Sequence, residues 1–475
     1  MATRDRASIP PQYERWTTRR RRSIRRFWSE ISPARLLVIS FAALVLVGTF
    51  GLRFLPGLYT GASLGWVDSL FMATSAVCVT GLAVVNPATE FTFAGQLWLL
   101  LLIQLGGLGL LTLTSGVLLT VGRRLSLRHE ELVSAGAEAP QVDYRQLVRR
   151  VLRFTFVIEA AGAILLYAFS IPRLGLLGAI WPSVFHAVSA FCNAGFSVFA
   201  DSMVPVRSDL PSLLVVMALI VTGGIGFLTL TEIAPRLGGR TAAAGPRRRL
   251  SLHTRLVLVS TLVLIVGGAV TLGVFEWQHT FAGMPRHERV ANALFASVTA
   301  RTAGFNTVDY ALVSAPTAFA TILLMFIGGA PGSTAGGLKV TTVALLVVLA
   351  VSRLRGRRHV SAFLRTIPDE TIGRAIGVAV LAGMLLVGML FVLIVIDPRA
   401  ASHASFLRYM FEATSAFATV GLSMNLTPEL APGGRLVVVV LMFVGRVGVM
   451  TLAAALTLER RALPFRYAKE DVAIG

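Results

Sequence analysis

FMATSAVCVTGL (Phe71 to Leu82), FHAVSAFCNAGF (Phe185 to Phe196), LFASVTARTAGF (Leu294 to Phe305) and FEATSAFATVGL (Phe411 to Leu422) are four versions of one segment. Each is short and mostly apolar, carries Ser or Thr inside, and ends in Gly followed by Leu or Phe. The glycines are Gly81, Gly195, Gly304 and Gly421, roughly 110 to 120 residues apart, a period far longer than that of solenoid repeats. Four copies of a loop in one chain predict four-fold pseudo-symmetry about an axis.

Composition names the solvent. Of the 475 residues, 55% are hydrophobic and 14% charged, against about 25% charged in soluble domains. Several apolar runs reach the roughly 20 residues needed to cross a bilayer. The net charge of +20 is gathered into clusters between those runs: Arg19 to Arg26, Arg123 to Arg153, Arg236 to Arg255, Arg353 to Arg374, and Arg460 with Arg461. That is the distribution of a membrane protein with positive cytoplasmic loops, and it argues against nucleic acid as a partner. Cys78 and Cys192 each lie three residues before a segment glycine. Two cysteines make neither a disulfide scaffold nor a metal cluster, and both read as small buried residues.

The fold class is therefore an all-α polytopic membrane protein with eight full spans. First spans run from Leu36 to Leu55, Val151 to Ser170, Leu256 to Phe275 and Ile372 to Ile396. Second spans run from Gly95 to Val121, Leu210 to Ile233, Pro316 to Val351 and Gly434 to Leu458. The glycine-ending segments fall inside each pair and are too short to cross, so they are expected to be re-entrant. The chain divides into a basic arm (1–33), repeats at 34–122, 150–235, 254–352 and 370–459, and a tail (460–475). Each repeat reads span, pore helix, loop, span around one pore. Each Arg cluster follows a second span, which puts both termini in the cytoplasm. Turn residues such as Pro56-Gly57, Asn86-Pro87, Ile171-Pro172 and Asp397-Pro398 mark the outer linkers. The Arg-rich arm, with Trp16, Phe27 and Trp28, is a candidate for contact with anionic membrane lipid. Second spans repeat too: QLGGLGLLTLT from Gln104, VTGGIGFLTLT from Val221 and FVGRVGVMTLA from Phe443. Small residues let membrane helices approach closely.

A dehydrated monovalent cation needs oxygens in place of its water, and backbone carbonyls supply them without fixed charge. Glycine gives the loop the backbone angles that turn carbonyls toward an axis. The candidate ion-binding residues are Val79, Thr80 and Gly81; Asn193, Ala194 and Gly195; Thr302, Ala303 and Gly304; Thr419, Val420 and Gly421. None is acidic, which disfavours a divalent-cation ring. Each preceding helix points its negative end at the same place. Arg301 breaks the pattern. It is either a charge at the filter edge or, as favoured here, a side chain turned back into the pore-helix bundle to pair with Glu412 or Asp68.

The third second span carries FIGGAPGSTAGGLKVTT (Phe326 to Thr342). Glycine costs about 1 kcal/mol and proline about 3 kcal/mol in a helix interior, so the helix is expected to break. Irregular backbone at membrane depth survives where it is buried in protein or lines a wet cavity. Gly328, Gly329, Gly332, Ser333, Thr334, Gly336 and Gly337 form this candidate loop. Arg446, a charge inside the last span, is placed to donate to carbonyls freed by the break. Lys339 either lines the pore or reaches toward the cytoplasm.

With these residues in hand, the chain resembles the Trk/Ktr/HKT superfamily of K+ transporters over about residues 30 to 460. It is nearest to Ktr-type membrane subunits, because the two extra N-terminal spans of Trk-type proteins are not found. Repeat two departs most from the pattern, with Asn193-Ala194 before its glycine. The resemblance implies K+ uptake across the plasma (inner) membrane of a bacterium through a four-loop carbonyl filter. It implies an intramembrane gating loop in repeat three, held by Arg446. Plant relatives with Ser at the first filter glycine prefer Na+, so Gly81 favours K+. The resemblance also implies a homodimer on a cytoplasmic ring of nucleotide-binding, RCK-type regulatory subunits, with no organic cofactor bound by this chain. Passive transport and coupling to Na+ or H+ both stay open. The rival reading is a cation-coupled secondary carrier with alternating access, which usually shows two repeats and midplane acids; Glu159 and Glu232 are the candidates for the latter. No catalytic constellation is present, and an enzyme is not expected.

Overall fold

A computed structural model describes residues 33–109, 144–237, 250–398 and 406–456. The basic arm, the tail, most of the Arg123 to Arg153 loop and the end of the first repeat's second span lie outside the described residues.

Among the described residues four helices are long and apolar enough to span a bilayer. They are α1 (Pro33–Phe54), α4 (Tyr144–Gly178), α8 (Leu252–Glu276) and α12 (Asp369–Ile396). At 1.5 Å per residue even the 22 residues of α1 reach about 33 Å, enough for a hydrocarbon core of about 30 Å. The four coincide with the four expected first spans. Their outward Leu, Ile and Val side chains are exposed, as on lipid-facing helices. The helix α4 runs through Pro172 and breaks at Gly175, whose φ is 71°. The turn expected at Ile171-Pro172 therefore sits inside the helix.

Between the long helices lie four short ones: α2 (Trp66–Val77), α5 (Ile180–Cys192), α9 (Arg286–Thr299) and α13 (Phe406–Ala418). These are the quoted segments. Each is anchored by one phenylalanine, Phe71, Phe185, Phe295 or Phe411, and all four are fully buried. Most of their residues are buried.

Apart from single turns such as Pro87–Glu90, the remaining described helices are the second members of each pair, and the structure breaks every one that it describes beyond its glycine motif. The first is α3 (Phe93–Gly109). The second is α6 (Leu210–Gly224) followed by α7 (Phe227–Leu237), bent by 107° at Gly226 with φ 82°. The third is α10 (Ala315–Phe326), an irregular loop, then α11 (Val340–Leu354). The fourth is α14 (Pro432–Val447) and α15 (Val449–Leu456), parted at Gly448 with φ 88°. The sequence predicts unbroken spans from Leu210 to Ile233 and from Gly434 to Leu458. The departure falls on the last glycine of the shared motif, Gly226 and Gly448, where a left-handed backbone is free of the Cβ penalty.

Polar staples tie the ends together. Glu232 accepts from Ser251 N and Ser251 Oγ, both at 2.7 Å, and from Thr254 Oγ1, fastening α7 to the start of α8. Arg435 at the start of α14 is ion-paired with Asp68 at the start of α2, which joins the last repeat to the first.

Candidate functional site

The four short helices end on one ring. Two residues before each glycine the backbone turns left-handed: φ is 55° at Val79, 59° at Asn193, 74° at Thr302 and 51° at Thr419. Such angles are outliers for β-branched side chains and cost of order 1–3 kcal/mol each. Hydrogen bonds hold them. Thr80 N donates to Ser75 O at 2.8 Å, Ala194 N to Ser189 O at 2.7 Å, and Val420 N to Ser415 O at 2.8 Å. These are helix-ending bonds of the Schellman type. In repeat three Ala303 N reaches Thr299 O at 2.9 Å instead. Asn tolerates this conformation best, so Asn193, the irregular residue of the series, is the least strained of the four.

The glycines follow with φ of 94°, 68°, 80° and 94° at Gly81, Gly195, Gly304 and Gly421. Each faces the carbonyl of the next loop. A Cβ on Gly81 would collide with Ala194 O, one on Gly304 with Val420 O, and one on Gly421 with Thr80 O. On Gly195 it would come to 2.7 Å from Ala303 O. The contacts run one to two, two to three, three to four, four to one, and close. Hydroxyls inside the helices brace the ring in two ways. Ser75 and Ser415 accept from the Gly81 and Gly421 N–H at 3.1 Å. Ser189 and Thr299 donate to Phe196 O and Phe305 O at 2.8 and 2.6 Å.

All four glycines line the floor of a cavity of about 270 Å³ whose walls are the residues after each glycine. Among the described residues Asp309 is the one carboxylate on that wall. Its Oδ1 accepts from Asn425 Nδ2 at 3.2 Å, linking the third and fourth repeats.

The irregular loop between α10 and α11 lies on the other side, against the residues that precede the ring. It folds on itself through Gly328 N to Leu338 O at 2.9 Å and Val340 N to Gly329 O at 3.0 Å. Gly332 and Gly337 turn left-handed at φ 72° and 64°. Ser333 Oγ accepts from Ala335 N at 3.3 Å. The loop also pairs with the broken second span of repeat two. Ala330 N donates to Gly224 O at 2.9 Å, Thr334 N to Gly223 O at 3.3 Å, and Phe227 N to Gly332 O at 3.0 Å. Two interrupted helices thus satisfy each other's freed backbone groups, as buried backbone at membrane depth requires. Gly336 presses on Thr419, where a Cβ would collide with Thr419 Oγ1.

Two buried arginines hold this loop. Arg446 is 2% exposed. Its Nη1 donates to Thr334 O and its Nη2 to Gly106 O at 3.2 Å. Arg446 stands where the motifs of repeats one and two carry Gly107 and Gly224. Arg301 corrects the expectation from sequence: neither Glu412 nor Asp68 is its partner. Its Nη1 donates to Thr261 O at 3.3 Å and its Nη2 to Gly328 O at 3.4 Å. Asp68 is taken by Arg435, and Glu412 accepts from Ser423 Oγ at 2.7 Å and from Thr427 Oγ1. Lys339 Nζ donates to Ala335 O at 2.6 Å, so it closes the loop's own end.

The shared glycine motif has a specific target. A Cβ on Gly106, Gly223 or Gly445 would collide with the carbonyl of Val77, Phe191 or Phe417, each four residues before a ring glycine. Of the two acids considered as midplane groups, Glu232 is the helix staple. Glu159 is buried and accepts from Gln104 Nε2 at 3.1 and 3.0 Å and, more loosely, from Cys192 Sγ. Both cysteines are free and buried. Among the described residues no cluster of His, Cys, Asp and Glu has the makings of a metal site.

Long apolar helices, buried half-length helices and irregular backbone between them define a polytopic integral membrane protein. The chain belongs to the TrkH family of cation transport proteins, which matches residues 17–462. It is 35% identical over 456 residues to the potassium/sodium uptake protein NtpJ of Enterococcus hirae, covering 95% of this chain and 99% of that one. It is 36% identical over 429 residues to the Ktr system potassium uptake protein B of Bacillus subtilis, covering 89% and 93%. Among solved structures its fold is similar to that of the potassium transporter TrkH from Vibrio parahaemolyticus, with a TM-score of 0.72, 18% identity, and 90% and 86% of the two chains covered. The chain is a transport protein and not an enzyme.

Proposed function

We propose that this chain takes up K+ across a bacterial plasma membrane through the ring formed by its four loops, with both termini cytoplasmic. The observation that carries the reading is the closed sequence of contacts from Gly81 to Ala194, Gly195 to Ala303, Gly304 to Val420 and Gly421 to Thr80. A single file of backbone oxygens around an axis exchanges for an ion's water without trapping it. The negative ends of α2, α5, α9 and α13 add to the attraction. The 270 Å³ cavity is the outer mouth. The loop from Gly328 to Lys339 is the gate, and Arg446 and Arg301 are its two latches. The names of the relatives from E. hirae and B. subtilis support K+ as cargo. The word "system" in the second name supports a multi-component assembly, in this reading a homodimer on a cytoplasmic nucleotide-binding ring.

The test is K+ entry into liposomes holding the purified chain, with Na+ as competitor. Saturable K+ entry that a tenfold excess of Na+ does not block is expected. Entry that requires an imposed H+ or Na+ gradient would move the assignment to the alternating-access carrier. Arg301→Gln removes the weaker latch and is expected to raise K+ entry a few-fold. An unchanged rate would leave Gly328 O without a role in gating.

A further inference from the structure

Between α8 and α11 lies an apolar groove of about 430 Å³. Its deep end is formed by Ile327 and Val340, which bracket the irregular loop. Val259 and Val263 of α8 and Val343 and Val347 of α11 line its length. At the other end stand Arg355 and Arg357, both exposed, beside the buried Ser352. The ion pairs of the described residues use other arginines. Glu370, at the start of α12, is engaged by Arg374.

The dimensions select the occupant. About 18 Å of helix separates Val340 from Ser352, and one leaflet of hydrocarbon is about 15 Å deep. A valine-walled slot one leaflet deep suits an acyl chain. Two guanidinium groups at its mouth suit a phosphate at head-group level. A free phosphate would leave the apolar walls bare, and a zwitterionic lipid would offset its own phosphate charge.

We propose that the groove holds one anionic phospholipid, its phosphate on Arg355 and Arg357 and one chain lying along α11 as far as Ile327 and Val340. A chain seated there braces both ends of the loop that Arg301 and Arg446 hold from inside. The proposal rests on the basic end of α11 lying at a membrane surface, and it is independent of which ion passes the ring.

Native mass spectrometry of the purified full-length protein with phosphatidylglycerol or phosphatidylcholine tests it. Wild type is expected to retain phosphatidylglycerol about thirty-fold more strongly, the effect of two surface cations on an anionic head group. The double variant Arg355→Gln, Arg357→Gln loses that preference, whereas Arg374→Gln, on α12, keeps it. Val347→Trp fills the slot and loses the bound lipid. Equal retention of the two lipids by wild type, or a preference that survives the double variant, overturns the proposal. So does a crosslink from Val347→Cys to a second copy of the chain or to a cytoplasmic protein, which would make the groove a protein interface.

Discussion

Alanine at Gly421 is expected to reduce K+ uptake by at least about 100-fold, the equivalent of about 3 kcal/mol. Two penalties act at that position. The backbone is left-handed at φ 94°, which costs an L side chain roughly 1–2 kcal/mol. The added Cβ also collides with Thr80 O. That obstacle is backbone, not the tip of a flexible side chain, so relief requires moving the first loop. Thr80 N is itself pinned to Ser75 O at 2.8 Å. The same logic ranks the four glycines. Gly195 has the most room, with Ala303 O at 2.7 Å from the built Cβ, while the other three approach more closely. Gly195→Ala is therefore expected to be the mildest of the four. Uptake by a K+-uptake-deficient bacterium, normalised to protein in the membrane, measures the order. Normal uptake by Gly421→Ala, or a worse defect at Gly195 than at Gly421, would remove the ring from the ion path.

Replacing Arg446 by Gln is expected to act in the opposite direction. The arginine donates to Thr334 O in the loop and Gly106 O in the first repeat. Hydrogen bonds from charged groups are worth about 1.5–3 kcal/mol each. Losing even one such bond raises the fraction of time the loop is displaced by about tenfold. On the proposed ion path the substitution also removes a positive charge that a cation leaving the ring would pass. Glutamine keeps a neutral donor and much of the volume, so collapse of the fold is not expected. K+ entry into liposomes should rise about tenfold with the preference over Na+ intact, because no ring residue is touched. A slower rate from properly folded protein would mean that Arg446 shapes the conducting path and does not latch it shut.

Much of this site could be read from residue order alone. The four quoted segments land on four short buried helices because each carries a phenylalanine in its first two positions that must be buried and, next to its end, a glycine that must turn. The break after Phe326 followed from counting glycines and a proline. Three features resisted such reading, each for a physical reason. Val79, Thr302 and Thr419 carry β-branched side chains that favour extended backbone, and the helix-ending hydrogen bonds that follow them hold them left-handed. The bend at Gly226 hides in a motif that also serves straight helices needing close contact, since Gly223 alone accounts for packing against Phe191 O. Charge alone points Arg301 at carboxylates, whereas its acceptors are the carbonyls of Thr261 and Gly328, which no side-chain pattern displays.

The order of contacts around the ring bears on how the protein is made. Each glycine rests on the following loop, and the last, Gly421, rests on Thr80 near the start of the chain. Translation supplies Thr80 early and Gly421 some 340 residues later. A nascent chain that lacks its last quarter therefore has two joints of four, since both Val420 and Gly421 are missing, and Arg435 is not yet present to meet Asp68. The circle shuts only when the final quarter has been inserted. If the ring is the ion path, as proposed, an unfinished copy stalled on the ribosome offers no completed ring through which the cell's ion gradients could discharge.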